Sequence, residues 1–120
     1  MTSPIGLLSL AAEKARYTAA RQSVIAENVA NADTPGYRAK DVEPFSQFLA
    51  RAQTQAGSRD DPTPATVERT AFGAASPDLN TVSLETEMMN AGQAAREHDT
   101  AVAIYAKAIG FLKTALGRIT

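Results

Sequence analysis

Residues 84–119 read LETEMMNAGQAAREHDTAVAIYAKAIGFLKTALGRI, and this stretch decides the fold of the chain. Its apolar side chains return in alternating steps of four and three over about five heptads, interrupted only by His98. The pattern predicts a coiled-coil helix over 82–119, with Ser83 as the N-cap. The predicted helix seam consists of Leu84, Met88, Val102, Tyr105, Ile109, Leu112 and Leu116, together with the smaller Ala91 and Ala95.

A second long helix is predicted from Ser3 to about Ala32, where Ala, Leu, Arg and Glu dominate. Ser3 is a candidate N-cap, and Pro4 fits the first helical position. Its seam at heptad spacing is rich in alanine: Leu8, Ala12, Ala15, Ala19, Gln22, Ala26 and Val29. We expect this small-residue seam to fit the larger residues of the C-terminal helix. A parallel or antiparallel pair still leaves much of each stripe facing water, which favours packing against further copies or partners.

The middle of the chain is poor in large apolar residues. Between Arg51 and Asn80 only Val67, Phe72 and Leu79 are of this kind, so little apolar burial can offset the ordering entropy. We therefore predict a flexible or partner-ordered insert, with a short extended piece at 66–72. The fold class is predicted as mainly α, with two long terminal helices that pair as a coiled coil on assembly.

This pattern divides the chain into three parts: an N-terminal helix and turn (1–34), a loop or extended insert that is partly disordered (35–81), and the C-terminal heptad helix (82–120).

Composition argues against most catalytic classes. The 120 residues carry a net charge of −1, contain no Cys and have His98 as the single histidine, so we expect no catalytic, cofactor-binding or metal site and no nucleic-acid partner. His98 is interpreted as a helix-packing residue. No apolar run reaches the ~18 residues of a membrane span, so no membrane insertion is expected. Residues 1–6 contain no basic residue, and Glu13 and Lys14 interrupt the apolar stretch that follows, so we expect no cleaved secretory signal.

The run NVANADTPGYR at residues 28–38 follows the first helix and predicts a chain reversal. Pro35 and Gly36 suit the central positions of a type II turn, and Asn31 or Asp33 can take the left-handed cap conformation. We expect an extended segment at 38–42 and a short helical turn at 44–49. Turn geometry does not require Asn28 or Tyr37, so we interpret the run as an assembly motif. Its residues are Asn28, Asn31, Thr34, Pro35, Gly36 and Tyr37.

This run resembles the N-terminal signature of the bacterial flagellar rod and hook family, which reads Asn-hydrophobic-Ala-Asn-Ala-x-Thr-Pro-Gly-Tyr. Residues 80–88, NTVSLETEM, followed by a heptad helix, are similar to the end of a proximal rod protein of that family. The sister rod protein FlgC usually carries paired Asn-Val steps before Glu-Glu-Met instead. Residues 96–99, REHD, depart from the family, whose members commonly place an aromatic residue there.

The resemblance implies a non-enzymatic, structural subunit of the proximal rod of the flagellar basal body, which transmits torque for motility. It implies export by the flagellar type III apparatus without a cleaved signal, and a place in the rod where it crosses the periplasmic space. The implied partners are other copies of the chain, the neighbouring rod proteins FlgC and FlgF, the basal-body adaptor FliE, and the MS ring or export gate.

Two alternatives remain open at this point. One is another flagellar rod protein of the FlgC type. The other, outside the family, is a small helical adaptor or secretion chaperone, which would share the amphipathic helices. Such a protein should be an ordered dimer in dilute solution and would not need the run at 31–37.

Overall fold

The computed structural model of the chain describes residues 4–55, 62–69 and 77–117. Within these ranges the elements are α1 (Pro4–Ala30), β1 (Lys40–Val42), α2 (Phe45–Thr54), β2 (Thr66–Glu68) and α3 (Leu84–Gly117). The predicted mainly α fold with two long terminal helices is confirmed. None of the described helices is both long and apolar enough to cross a membrane.

The helices α1 and α3 lie side by side and run antiparallel. Asn28, near the end of α1, contacts Glu87 at the start of α3, whereas the middle of α1 meets the middle of α3, where Thr18 contacts His98. The sequence left parallel and antiparallel pairing open; residues 31–83, which include β1, α2 and β2, connect the end of α1 to the start of α3. The result is an elongated molecule with principal extents of 67 × 27 × 23 Å.

The helix pair buries small side chains, not the large ones of the predicted seam. The buried residues of α3 repeat every seven positions: Glu87, Ala94, Ala101 and Ala108. On α1 the buried positions include Ala11, Thr18, Ile25 and Asn28. On α3 this face lies one residue to the N-terminal side of the predicted seam, so Ala101 is buried while Val102 remains 47% exposed. Alanine allows the two helix axes to approach closely, which a row of large side chains would prevent.

The predicted seam of α3 therefore faces outward in the single chain. Its exposed members are Leu84, Met88, Val102, Tyr105 and Leu116, and its half-buried members are Ile109 and Leu112. The expectation that the alanines of α1 receive these large residues is wrong within the chain. Their burial against other subunits stays a prediction.

A small aromatic cluster attaches β1 and α2 to α1. Tyr17, Val24, Val42 and Phe48 are buried together, and the Tyr17 ring lies 5.2 Å from that of Phe45 in an edge-to-face arrangement. The Tyr17 hydroxyl donates to the carbonyl oxygen of Glu43 at 2.6 Å, and burial raises the pKa of Tyr17. The short helical turn expected at 44–49 is the first part of α2.

Part of the predicted insert is fixed to the helix pair. β2 pairs antiparallel with β1, with Val42 opposite Thr66, which confirms the extended piece for residues 66–68. Arg51 of α2 pairs with Glu43 and donates to the carbonyl of Thr63 at 3.1 Å. The Arg51 guanidinium, with the backbone N–H of Ala65, holds the pKa of Glu43 below its ordinary value. Polar anchors thus replace the missing apolar burial; residues 56–61 and 70–76 lie outside the described residues.

We expect Ala101→Leu to destabilise the chain by about 1–3 kcal/mol, because the added side chain must separate two closely packed helices. Ala103→Leu is the matched control, since Ala103 is exposed on the same helix. Thermal unfolding followed by far-ultraviolet circular dichroism measures both. Equal melting temperatures for the two variants would contradict an alanine-lined helix interface.

Candidate functional site

The turn after α1 has the geometry that Pro35 and Gly36 predict. The backbone N–H of Tyr37 donates to the carbonyl of Thr34 at 3.2 Å, and Gly36 has φ of 75°. These are the features of a type II turn with glycine at its third position. A Cβ on Gly36 would meet nothing within 4 Å, so the requirement for glycine comes from the backbone conformation alone.

The C-terminus of α1 is not capped by a left-handed residue. Among the described residues the non-glycine residue with positive φ is Leu79, so the expectation for Asn31 or Asp33 is wrong. Instead Asn31 keeps a helical bond to the carbonyl of Glu27, at 3.1 Å, and its side chain donates to the same carbonyl at 2.8 Å.

The buried side chain of Asn80, shortly before α3, binds the turn that follows α1. Its Nδ2 donates to the carbonyl oxygens of Asn31, Ala32 and Thr34, at 2.9, 3.0 and 2.7 Å, so at least one of its two N–H groups is shared. Its Oδ1 accepts the backbone N–H of Val82 at 2.8 Å. Asn80 thus ties the turn after α1 to the segment that leads into α3.

A fully buried amide, that of Asn28, joins α1 to β1 and α3. Its Oδ1 accepts the backbone N–H of Lys40 at 2.9 Å, and its Nδ2 donates to the Lys40 carbonyl at 2.8 Å. This pairing with one peptide fixes which side of the amide is oxygen. Nδ2 also donates to Glu87 Oε2 at 3.1 Å, and the Tyr37 hydroxyl donates to Oδ1 at 3.3 Å. All four hydrogen-bonding positions of the amide are therefore used.

Glu87 is completely buried and has a charged partner. Its Oε2 accepts a hydrogen bond from Asn28 Nδ2, and its Oε1 accepts one from Arg69 Nη1 at 2.5 Å. Arg69 also lies 3.6 Å from Asp41 Oδ2 and 3.4 Å from the Lys40 carbonyl. The carboxylate is thus paired and hydrogen-bonded, which is the condition for a stable buried charge. We call the cluster of Asn28, Tyr37, Lys40, Arg69 and Glu87 the joint.

Two backbone segments run together beside the joint. The N–H of Gly36 donates to the carbonyl of Asp78 at 2.8 Å, and the N–H of Thr81 donates to the carbonyl of Tyr37 at 3.0 Å. The Thr81 hydroxyl accepts the N–H of Ala39 at 2.8 Å. These bonds join the motif at 28–38 to residues 78–81, which lead into α3.

The structure brings the predicted motif residues together beside these two joined backbone segments. Asn28 is buried and Tyr37 is half-buried, and burial, followed by the nearby Glu27, raises the pKa of Tyr37 and so favours its protonated, donating form. Thr34, Pro35 and Gly36 are exposed. Asn28 and Tyr37, which turn geometry does not require, have roles within the chain. A contact of the motif with other subunits remains a prediction.

Sequence reasoning missed three residues of this region, Arg69, Asn80 and Glu87. Each contacts a residue far away in the chain. Asn80 donates to carbonyls 46 to 49 residues earlier, and Glu87 accepts from an amide 59 residues earlier. One signal was present for Glu87, which begins the seven-residue repeat continued by Ala94 and Ala101.

The arrangement holds elements of the fold together. No group of three or more potential metal ligands occurs among the described residues. His98 packs against α1, with its Nδ1 at 2.9 Å from Thr18 Oγ1 and 3.2 Å from the Ala15 carbonyl, in agreement with its interpretation as a helix-packing residue. The joint and the contacts of His98 connect α1 to α3, and such contacts between elements are typical of structural and interaction proteins.

Comparisons with known proteins point the same way. The family model for flagella basal body rod proteins matches residues 16–38, which contain the motif. The flagellar basal body rod protein FlgB of Agrobacterium fabrum (strain C58) is 44% identical over 54 residues, which are 45% of this chain and 40% of the relative. FlgB of Aeromonas hydrophila is 54% identical over 37 residues, 31% of this chain and 27% of the relative.

A third FlgB, from Yersinia enterocolitica, is 40% identical over 50 residues, or 42% of this chain and 36% of the relative. The chain thus matches at most 40% of the length of these curated relatives. The resemblance to the flagellar rod family, inferred from the motif, is confirmed, and that family is structural and not enzymatic.

We expect Asn28→Ala to lower the free energy of unfolding by about 2–4 kcal/mol, because it removes the acceptor of the Lys40 N–H and the donor to Oε2 of the buried Glu87. The control is Asn31→Ala at the same helix end, where the half-buried side chain makes local contacts, so the loss should not exceed about 1 kcal/mol. Urea unfolding followed by circular dichroism measures both. Similar losses would contradict the central position of the Asn28 amide.

We expect the isosteric Asn80→Asp to loosen the turn after α1, because the carboxylate cannot donate and would face three carbonyl oxygens. Amide hydrogen exchange at residues 31–37 should accelerate by about tenfold or more. Asp33→Asn, an isosteric change at an exposed position nearby, should leave these rates unchanged. Unaltered exchange in Asn80→Asp would show that the turn is stable without these bonds.

Proposed function

We propose that this chain, similar in its motif region to flagellar basal-body rod proteins of the FlgB type, is a structural subunit of the proximal rod. Support comes from the family match over 16–38 and from the three FlgB relatives. The FlgB name of these relatives also favours this role over that of a FlgC-type rod protein.

The observation that carries the proposal is the apolar face that α3 leaves outside the helix pair. Met88, Val102 and Leu116 are 73%, 47% and 65% exposed, and they share one stripe at heptad spacing. A contiguous exposed face of this kind is typical of an interaction site. In the proposed rod it packs against other copies of the chain and neighbouring subunits, as the heptad pattern predicts.

The joint suits a subunit that must carry load. Its buried hydrogen bonds and those of Asn80 fasten α1 to α3 at one end. In the proposed role the two helices respond to force as one body, and this rigidity lets the subunit transmit torque along the rod.

The resemblance extends the proposal to location and partners. The chain would be exported by the flagellar type III apparatus without a cleaved signal and would lie in the rod within the periplasmic space. Its neighbours would be further copies, FlgC and FlgF, the adaptor FliE, and the MS ring or export gate.

We expect Leu116→Asp to abolish swimming in soft agar when it replaces the parent chain in the source bacterium. Leu116 is exposed, so the single chain should keep its circular-dichroism spectrum. Burying the carboxylate between subunits would cost several kcal/mol, an order of magnitude typical of an unpaired buried charge.

Thr114→Asp is the matched control. It adds the same charge, and Thr114 is exposed on the opposite side of the same helical turn from Leu116. This strain should swim, and both variants should be present in equal amounts. If the Leu116→Asp strain swims normally with its protein incorporated in purified basal bodies, the assembly face lies elsewhere. If deletion of the chain leaves motility intact, the proposed function itself is wrong.

A further inference from the structure

The segment at 62–69, which we call the strap, lies beside the joint and is held there by polar contacts. Its strand residues Thr66, Val67 and Glu68 are all exposed, so apolar burial contributes little to its position. One end of the strap is attached through Arg51, which donates to the Thr63 carbonyl at 3.1 Å. At the other end Arg69 reaches into the joint.

Arg69 is the cation that compensates the buried charge of Glu87. Glu87 is 0% exposed, and its other contact in the described structure, Asn28, is a neutral donor. A buried carboxylate that loses its cation is strongly destabilised and regains favourable solvation by returning to water. Since Glu87 sits on the face of α3 that packs against α1, its return to water requires the helix pair to separate at this end.

We propose that the strap is a latch on the helix pair: α3 closes against α1 at the joint only while Arg69 is seated on Glu87. Seating the strap and closing the joint are then one cooperative event. The coupling is reciprocal, so a displaced strap opens the first turns of α3, and an opened joint releases the strap. The latch is a property of the single chain and holds whatever the chain assembles with.

The absence of cysteine from the sequence gives a clean probe of this coupling. Ala94→Cys places one thiol on the fully buried face of α3, one heptad beyond Glu87. Ala108→Cys places one on the same face at the far end, and Ala106→Cys gives an exposed reference. The rate at which a water-soluble maleimide labels each thiol measures how often that part of the helix pair opens.

We expect Arg69→Ala to accelerate labelling at position 94 by about tenfold or more, and labelling at position 108 by less than about threefold. Arg38→Ala removes an exposed arginine from the adjoining segment and should change neither rate. The critical variant is Arg69→Ala combined with Glu87→Gln, in which no charge is buried and an amide oxygen can still accept from Asn28. It should label at position 94 within about threefold of the parent.

Three results would overturn the latch. Arg69→Ala could leave labelling at position 94 unchanged, so that closure does not need the cation. The double variant could label as fast as Arg69→Ala, so that the uncompensated charge is not the cause. Finally, Ala94→Cys in the otherwise unchanged chain could label as fast as Ala106→Cys, so that the closed joint is not the resting state. None of these outcomes depends on motility, so a failure of the latch is distinct from a failure of the proposed rod function.

Discussion

The buried amide of Asn28 is the constraint on which the rest of the structure depends. A buried primary amide is stable only when its donors and acceptors are all satisfied, and here the Lys40 peptide and Glu87 supply most of the partners. These contacts fix the path of the chain after the turn at 34–37, because they hold the Lys40 peptide against α1. This path then places β1 beside α1, pairs β2 with β1, and sets α3 antiparallel to α1.

The long helices divide their apolar residues between two faces. On α3 the face inside the chain is built mostly from alanine and allows a close approach, whereas the neighbouring face of α3 carries the larger side chains and remains accessible. Small residues bury little area each, so the helix pair gains less from apolar burial than a leucine-rich coiled coil would. The buried polar contacts at one end of the helix pair and the exposed large side chains of α3 fit the proposed role of a subunit that packs against its neighbours.

Local sequence patterns predicted the local structure well. Pro35 and Gly36 predicted the turn because its φ values are set by those two residues themselves. The heptad pattern predicted a helix over 82–119, which the structure shows at 84–117, but it indicated the wrong face for the contact within the chain, because alanines beside the large residues repeat with the same period. The heptad period shows which positions of a helix share an apolar stripe. It does not show which stripe the partner helix packs against, because that depends on how closely the partner helix approaches.

By itself, the sequence determined the two terminal helices, the reversal between them and the motif shared with flagellar rod proteins, since each depends on residues near one another in the chain. Tertiary structure decided the antiparallel pairing, the bonds from Asn80 to the turn after α1 and the ion pair between Arg69 and Glu87. The reason is geometric: a hydrogen bond or ion pair between distant residues needs atoms within a few ångströms of each other, and only the folded path of the backbone sets that distance.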